Sequence, residues 1–268
     1  MDQFVAELRK IPPVTRFLCF SSLGVTIPVL MQMVSPYGLL FVPKLVMNKF
    51  QLWRLYTSFF LGGGGLNYIF ELVMLYRTAD QLESGPYARR SADLAWQLIF
   101  ACASIIGLTM PLSTFVFARP LLVALAYLSS ALAPPGAQTS LMGLITLPVK
   151  YFPYVMIGMD LLMGGPQAAA QAVAGAVVGH AWWWGVWGAG LGGQGVLASY
   201  SQAPEWMKKI VGEEAAPPPP PPAGRGGAGA GLAAAGVQVI PPRRPVTSPA
   251  ATSTSTGYNW GSGNRLGS

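Results

Sequence analysis

Apolar residues in this chain follow neither the alternation of a half-buried strand nor the one-sided stripe of a soluble helix. They come in long runs separated by short polar clusters. A helix that crosses the hydrocarbon core of a bilayer needs about 20 mostly apolar residues. Six runs approach that length: Phe17–Val34, Phe59–Tyr76, Leu94–Pro111, Phe115–Ala133, Tyr151–Met163 and Ala168–Leu191. The second opens with "LGGGGLNY" (residues 61–68) and carries Glu71, and the fourth carries Arg119 near its start. The fifth is short and lengthens backwards only by taking in Lys150. No internal repeat is visible, and no soluble segment longer than a loop separates the runs. The pattern changes near Ser199. "PEWMKKI" (204–210) predicts one interfacial turn of helix, with Trp206 among the headgroups and Lys208 and Lys209 on anionic lipid. Beyond it lie Pro217–Pro222, a Gly/Ala stretch and a Ser/Thr/Pro stretch, none of which buries enough apolar surface to fold.

Composition points the same way. Of 268 residues, 52% are hydrophobic and only 10% charged, and the mean hydropathy is +0.43. A soluble domain carries about 25% charged residues, so a multi-spanning membrane protein is expected. "MDQFVAELRK" at the start is amphipathic and lacks a small-residue cleavage site, so the first run is expected to act as an uncleaved anchor. Cys19 and Cys102 lie within apolar runs and read as small core residues rather than a disulfide framework. The net charge of +7 raises nucleic acid as a partner. No basic cluster interleaved with aromatics supports it.

Basic residues orient the spans. With the N-terminus cytosolic, six spans leave only Lys44, Lys49, Arg54 and Arg119 of the 17 Lys and Arg on the far side. The positive-inside bias expects that excess, and an even number of spans keeps both termini cytosolic. The domains are then a six-span membrane domain over 1–200, a linker over 201–256 and a terminal peptide over 257–268. A linker of about 45 flexible residues has a reach of roughly 35–40 Å.

Several short motifs carry candidate chemistry. "QLWRLYTSFF" (51–60) puts Trp53 and Arg54 at a membrane edge, either as an aromatic-belt anchor or as a stacked or hydrogen-bonded pair. "YRTADQLESGPYARRSADL" (76–94) mixes Asp80, Glu83 and Asp93 with Arg77, Arg89 and Arg90 in one loop. In "GAVVGHAWWW" (175–184), Gly175 and Gly179 share a helix face and permit a close neighbour. His180, the only histidine, follows them; a histidine buried in a membrane marks a candidate site. As a base it would need a serine. Ser129 and Ser130 in "YLSSALAPP" (127–135) are the candidates, without the adjacent glycine that would open the helix or build an oxyanion hole. A packed, hydrogen-bonded His180 is therefore the expectation.

Taken in order, these residues resemble the Derlins, rhomboid-fold pseudoproteases of the endoplasmic reticulum. "QLWRLYTSFF" is similar to the family's Trp-Arg motif, and "LYRTADQLESGPYARRSADLAWQ" to its Y-R…L-E-x-G…R-x-A-D-F loop. "LMGLITLPVKYFPYVMIGMDLLMGG" resembles the stretch before and through the family's fifth span, and "GAVVGH" its G-x-x-x-G-H. Glu71 stands near a position where the family usually has asparagine. The resemblance implies an all-α, rhomboid-like bundle of six transmembrane helices with a disordered C-terminal tail. It implies a non-enzymatic component of endoplasmic-reticulum-associated degradation, without cofactor or metal. Such a protein thins the bilayer and helps return misfolded proteins to the cytosol. The implied partners are misfolded substrates, a membrane ubiquitin ligase complex and a hexameric AAA+ ATPase with valosin-type domains. "NWGSGNRLG" is similar to the peptide that recruits this ATPase. Trp260 and Leu266 would be anchors and Arg265 a charge contact, while Gly261, Gly263 and Gly267 permit a close backbone approach. The competing readings are an active rhomboid-type intramembrane protease using His180 and an ion or solute transporter. The transporter reading lacks an inverted repeat.

Overall fold

The computed structural model describes residues 10–141, 145–188 and 195–212. The described residues are mostly helical. In chain order the helices are α1 Pro13–Leu30, α2 Pro43–Lys49, α3 Trp53–Phe60, α4 Leu66–Ser84, α5 Ser91–Thr109, α6 Ala118–Ala131, α7 Phe152–Trp187 and α8 Glu205–Val211. One antiparallel hairpin, Gln138–Leu141 with Ile145–Pro148, pairs Gln138 with Pro148 and Leu141 with Ile145. It lies in a stretch whose apolar residues mark no strand by alternation.

Among the described residues three stretches are long and apolar enough to cross a membrane: Pro13–Leu30, Ser91–Leu112 and Val149–Trp187. Ala118–Ala131 is apolar but shorter. α4 has the length but carries Glu71, Arg77, Asp80 and Glu83. Each predicted run contains helix, with shifted bounds. α1 starts at Pro13, whose fixed φ and missing N–H suit the first helical turn. The run expected at 59–76 is broken: α3 stops at Phe60 and α4 starts only at Leu66, after the glycines. α4 then continues to Ser84, into what the polar composition marks as loop. It does so because Thr78, Ala79, Leu82 and Glu83 are buried against neighbours.

The fifth and sixth runs form one element, α7, interrupted at Gly165 (φ 75°, ψ −171°) with Pro166 behind it. The positive φ is open to glycine at no steric cost. Contacts show that the chain reverses there. Asp160 meets Arg119 at the start of α6, while Phe152 and Met156 pack with Leu122, Val123 and Ala126 further along it. Beyond the break Gly175 meets Pro120 and Gly179 meets Ala124, so 166–187 runs the other way. Residues 152–164 and 166–187 are therefore two arms of a helical hairpin that embraces α6.

α6 is the centre of the bundle. Leu121 to Ala126 and Leu128 are each at most 3% exposed. A helix apolar on every side belongs in the interior, and 14 residues span only about 21 Å. Around it, Leu18, Leu82, Tyr87, Leu94, Ile105, Phe117 and Trp182 fill one continuous core. α8, two turns rather than one, packs Met207 against Ala92 and Ala203, which joins residues past 200 to the bundle. The Trp206 ring, 53% exposed, stands edge-on to Trp96.

Candidate functional site

Four groups of polar residues hold this apolar bundle in register. The first closes the end where α1 begins. A helix leaves its first N–H groups without partners. Here Val14 N–H donates to Glu83 Oε1 at 3.0 Å and Thr15 N–H to Oε2 at 2.7 Å, with Thr15 Oγ1 adding a third bond at 2.8 Å. Glu83 is 3% exposed, so a carboxylate from α4 caps α1 from 68 residues away in sequence. A local capping signal is absent at Pro12. We expect Glu83→Ala to leave two buried donors orphaned, at about 1–3 kcal/mol each. Thermal unfolding in nanodiscs reads this as a clear drop in midpoint, with Asp80→Ala as the control.

The rest of that loop is a second hub. Tyr87 is fully buried, and burial pushes its phenol up to about 12, so it remains a donor through the neutral range. Its hydroxyl donates to Gln97 Oε1, which also accepts from Trp182 Nε1 at 2.8 Å. Trp187 Nε1 donates to the Tyr87 oxygen at 3.0 Å, and Gln97 Nε2 to the Ser201 carbonyl at 3.0 Å. Asp93 accepts Ala203 N–H at 2.7 Å and pairs with Arg90 at 2.8 Å. Residues of α4's exit, α5, α7 and the segment before α8 thus meet at one point. The aromatic run after His180 supplies indole N–H donors to it, which a reading of these residues as hydrophobes misses.

The opposite end carries the Trp-Arg motif. Arg54 donates to the Tyr37 and Leu40 carbonyls at 2.9 and 3.0 Å and to Gln51 Oε1 at 2.6 Å. It ties down the backbone of 36–40, and the stacked or hydrogen-bonded Trp53–Arg54 pair, one of the two readings of the motif, is not among the described contacts. Neighbours in a helix point in different directions, and Trp53 is 56% exposed. The segment leading into α6 is fastened at this end twice, by Phe41 N–H donating to Phe115 O at 2.9 Å and by Phe117 N–H donating to Ser58 O of α3 at 2.8 Å.

Between the two ends lies the α6–α7 seam. A Cβ at Gly175 would strike the Pro120 carbonyl; one at Gly179 would come within 2.7 Å of Ala124 O and 2.8 Å of Tyr127 Cβ. Both glycines thus lie against backbone atoms of α6. His180 is hydrogen-bonded, Nδ1 to the Tyr127 hydroxyl at 2.8 Å, but its side chain is exposed rather than buried. Ser129 and Ser130 donate to the carbonyls of Ala126 and Tyr127, three residues back in their own helix. Tyr127, not a serine, is the hydroxyl that His180 meets.

The fourth group is an ion cluster among α4, α6 and α7. Arg119 donates from Nε to Asp160 Oδ1 at 2.7 Å and approaches it again through Nη2 at 2.5 Å. Its Nη1 lies 3.6 Å from Glu71 Oε1. Glu71 also accepts Gly63 N–H at 2.9 Å and the Asn67 amide at 3.2 Å. Sequence reading marks Glu71 and Arg119 in separate apolar runs; only the fold brings residues 71, 119 and 160 together. Among the described residues no group of three His, Cys, Asp or Glu is gathered as a metal would require. Trp260, Gly261, Gly263, Arg265, Leu266 and Gly267 lie outside the described residues.

Residues 11–199 match the profile of the Der1-like family. Derlin-1 of Arabidopsis thaliana is 33% identical over 210 residues, covering 75% of each chain. Derlin-1.2 of Zea mays is 32% identical over 210 residues, 76% of this chain and 82% of its own. Derlin-2 of Oryza sativa is 28% identical over 200 residues, 68% and 78% respectively. The matched stretch takes in the Glu83 cap, the Arg54 tether and the Gly175–Gly179 seam alike, and the chain belongs to the Der1-like family, the Derlins.

Proposed function

We propose that this protein is a non-enzymatic component of endoplasmic-reticulum-associated degradation that helps misfolded proteins return to the cytosol. Family membership is the basis, and one observation carries the mechanism. The central helix α6 and the adjacent arm 152–164 have 14 and 13 residues. At 1.5 Å per residue they reach about 20 Å, against roughly 30 Å of hydrocarbon. Short elements that also hold charges are accommodated by local thinning and water entry. A thinner, wetter bilayer lowers the barrier to a polypeptide crossing it.

Val14 beside Glu83 and Ala203 beside Asp93 put both described ends of the chain at one end of the bundle. Together with the distribution of basic residues, this supports a multi-pass endoplasmic reticulum protein with both termini cytosolic. The terminal peptide would then face the AAA+ ATPase, and a membrane ubiquitin ligase complex would mark the substrates. The Ser129 and Ser130 hydroxyls, bonded within α6, favour a non-enzymatic role over proteolysis.

The test uses cells lacking their Derlins and a misfolded reporter of the endoplasmic reticulum. Wild type and His180→Ala should restore reporter loss to a similar degree, and neither should label with a fluorophosphonate serine-hydrolase probe. Reporter cleavage that disappears with His180→Ala would overturn the proposal in favour of a protease.

A further inference from the structure

We infer that the stretch 195–211 is a foot resting on the bilayer surface, with its apolar outer side in the headgroup layer and its basic residues on anionic phospholipid. The foot is held to the bundle from within. Gly195 and Leu197 N–H donate to the Val186 and Gly185 carbonyls at 3.0 and 2.7 Å, acceptors that the end of α7 leaves open. Trp96 Nε1 donates to the Tyr200 carbonyl at 3.2 Å, Gln97 Nε2 to that of Ser201, and Ala203 N–H to Asp93. Each of these bonds uses a backbone group of the foot. The side chains of Val196, Tyr200 and Ile210 stay outside, 74–76% exposed, so docking onto the bundle does not account for them.

The residues of α8 divide three ways. Met207 and Val211, four apart, pack inward with Ala92 and Ala203. Trp206 and Ile210, also four apart, share the adjoining side. Glu205, Lys208 and Lys209 take the remainder. One apolar side suffices for a helix lying on a protein in water. A second, flanked by lysines, suits a helix at the meeting of bundle, bilayer and water.

The aromatic contacts place that second side at membrane level. Trp206 stands edge-on to Trp96 at 6.0 Å, and Trp96 edge-on to Phe100 at 5.0 Å. Ile99 and Phe100 are half exposed on Ser91–Leu112, a stretch able to cross a membrane. The outer surface of a spanning helix thus continues onto α8. Trp96, in the second turn of α5, sits where an interfacial aromatic belongs.

Charge selects the lipid. Asp93 pairs with Arg90 and Glu205 with Lys208. Arg89, just before α5, and Lys209 add positive charge that no described carboxylate matches. A second copy of this chain would bring the same positive charge to the contact, whereas an anionic surface complements it. Each Lys or Arg held near such a surface contributes roughly fivefold to the attraction.

The measurement needs neither substrate nor ATPase, so its outcome is independent of the function proposed above. Full-length protein carrying Cys19→Ala and Cys102→Ala is placed one copy per nanodisc, with a nitroxide at Ile210→Cys, Tyr200→Cys or Glu205→Cys. Power saturation by oxygen, which concentrates in lipid, and by a nickel chelate, which stays in water, reads depth. In discs of phosphatidylcholine with phosphatidylglycerol, labels at 210 and 200 should favour oxygen over nickel by about threefold or more relative to 205. Phosphatidylcholine alone should lower that ratio, and Lys209→Gln with Arg89→Gln should remove the difference between the two lipid mixtures. Labels at 210 and 200 as open to nickel as the one at 205 would place the foot in water and overturn the inference. Shielding of both labels from both reagents would also overturn it, because a protein surface would then cover them. So would a response to phosphatidylglycerol that survives the double substitution.

Discussion

Gly175→Ala is expected to leave too little folded protein to purify intact, whereas Gly158→Ala, in the other arm of the same helix, should be neutral or slightly stabilising. The added methyl at 175 would sit against the carbonyl, Cα and carbonyl carbon of Pro120. These are backbone atoms, so no rotamer change makes room, and α6 must move away from 166–187 as a whole. α6 carries the most deeply buried run among the described residues, Leu121 to Ala126, so its displacement is felt on every side. Overpacking a close-packed core costs about 1–3 kcal/mol where side chains can adjust, and the rigid backbone here puts the cost at or above the top of that range. At position 158 a Cβ meets nothing within 4 Å, and alanine gains roughly 1 kcal/mol over glycine in a helix interior. Yield and thermal midpoint of the two variants in nanodiscs give the comparison. Equal behaviour would mean that the seam yields where the geometry says it is closed.

Trp260→Ala is expected to abolish recovery of the AAA+ ATPase with this protein while leaving insertion and folding intact. The proposal rests on the resemblance of "NWGSGNRLG" to an ATPase-recruiting peptide. Truncating an anchor aromatic typically costs about 2 kcal/mol or more, which is roughly thirtyfold in affinity. The change should not reach the bundle, because the last described helix ends at Val211. Shortening the Pro/Ala/Gly linker by about a third should matter far less, since effective concentration varies slowly once a linker spans its sites. Co-purification of wild type, Trp260→Ala and the shortened linker decides it. Equal ATPase recovery from all three would exclude the peptide as the hook.

What the amino-acid sequence determined by itself is whatever depends on spacing along one helix or on bulk transfer into lipid. The apolar runs place a helix in each of six regions, because burial of a long hydrophobic stretch needs no particular partner. Gly175 and Gly179 announce a close approach, because residues four apart share a helix face whatever lies opposite. The Trp-Arg, L-E-x-G and G-x-x-x-G-H motifs, read in order, identify the family.

Only the tertiary structure decided who meets whom. Glu83 reads as a loop acid until α1 is placed beside it, where two orphan N–H groups point at its carboxylate. Arg54 is next to Trp53 in sequence, yet its fork reaches the Tyr37 and Leu40 carbonyls, because adjacent side chains on a helix diverge. Arg119 finds Glu71 and Asp160, 48 and 41 residues away along the chain. The bounds of α4 and the joining of two runs into α7 have the same cause. Helix ends are set by local backbone freedom, as at Gly165, and by partners from distant segments, as at Thr78, Leu82 and Glu83. Hydropathy sums an element's affinity for lipid; it holds no record of a hydrogen bond or ion pair made across 40 or more residues, because such a bond forms only after the helices have packed.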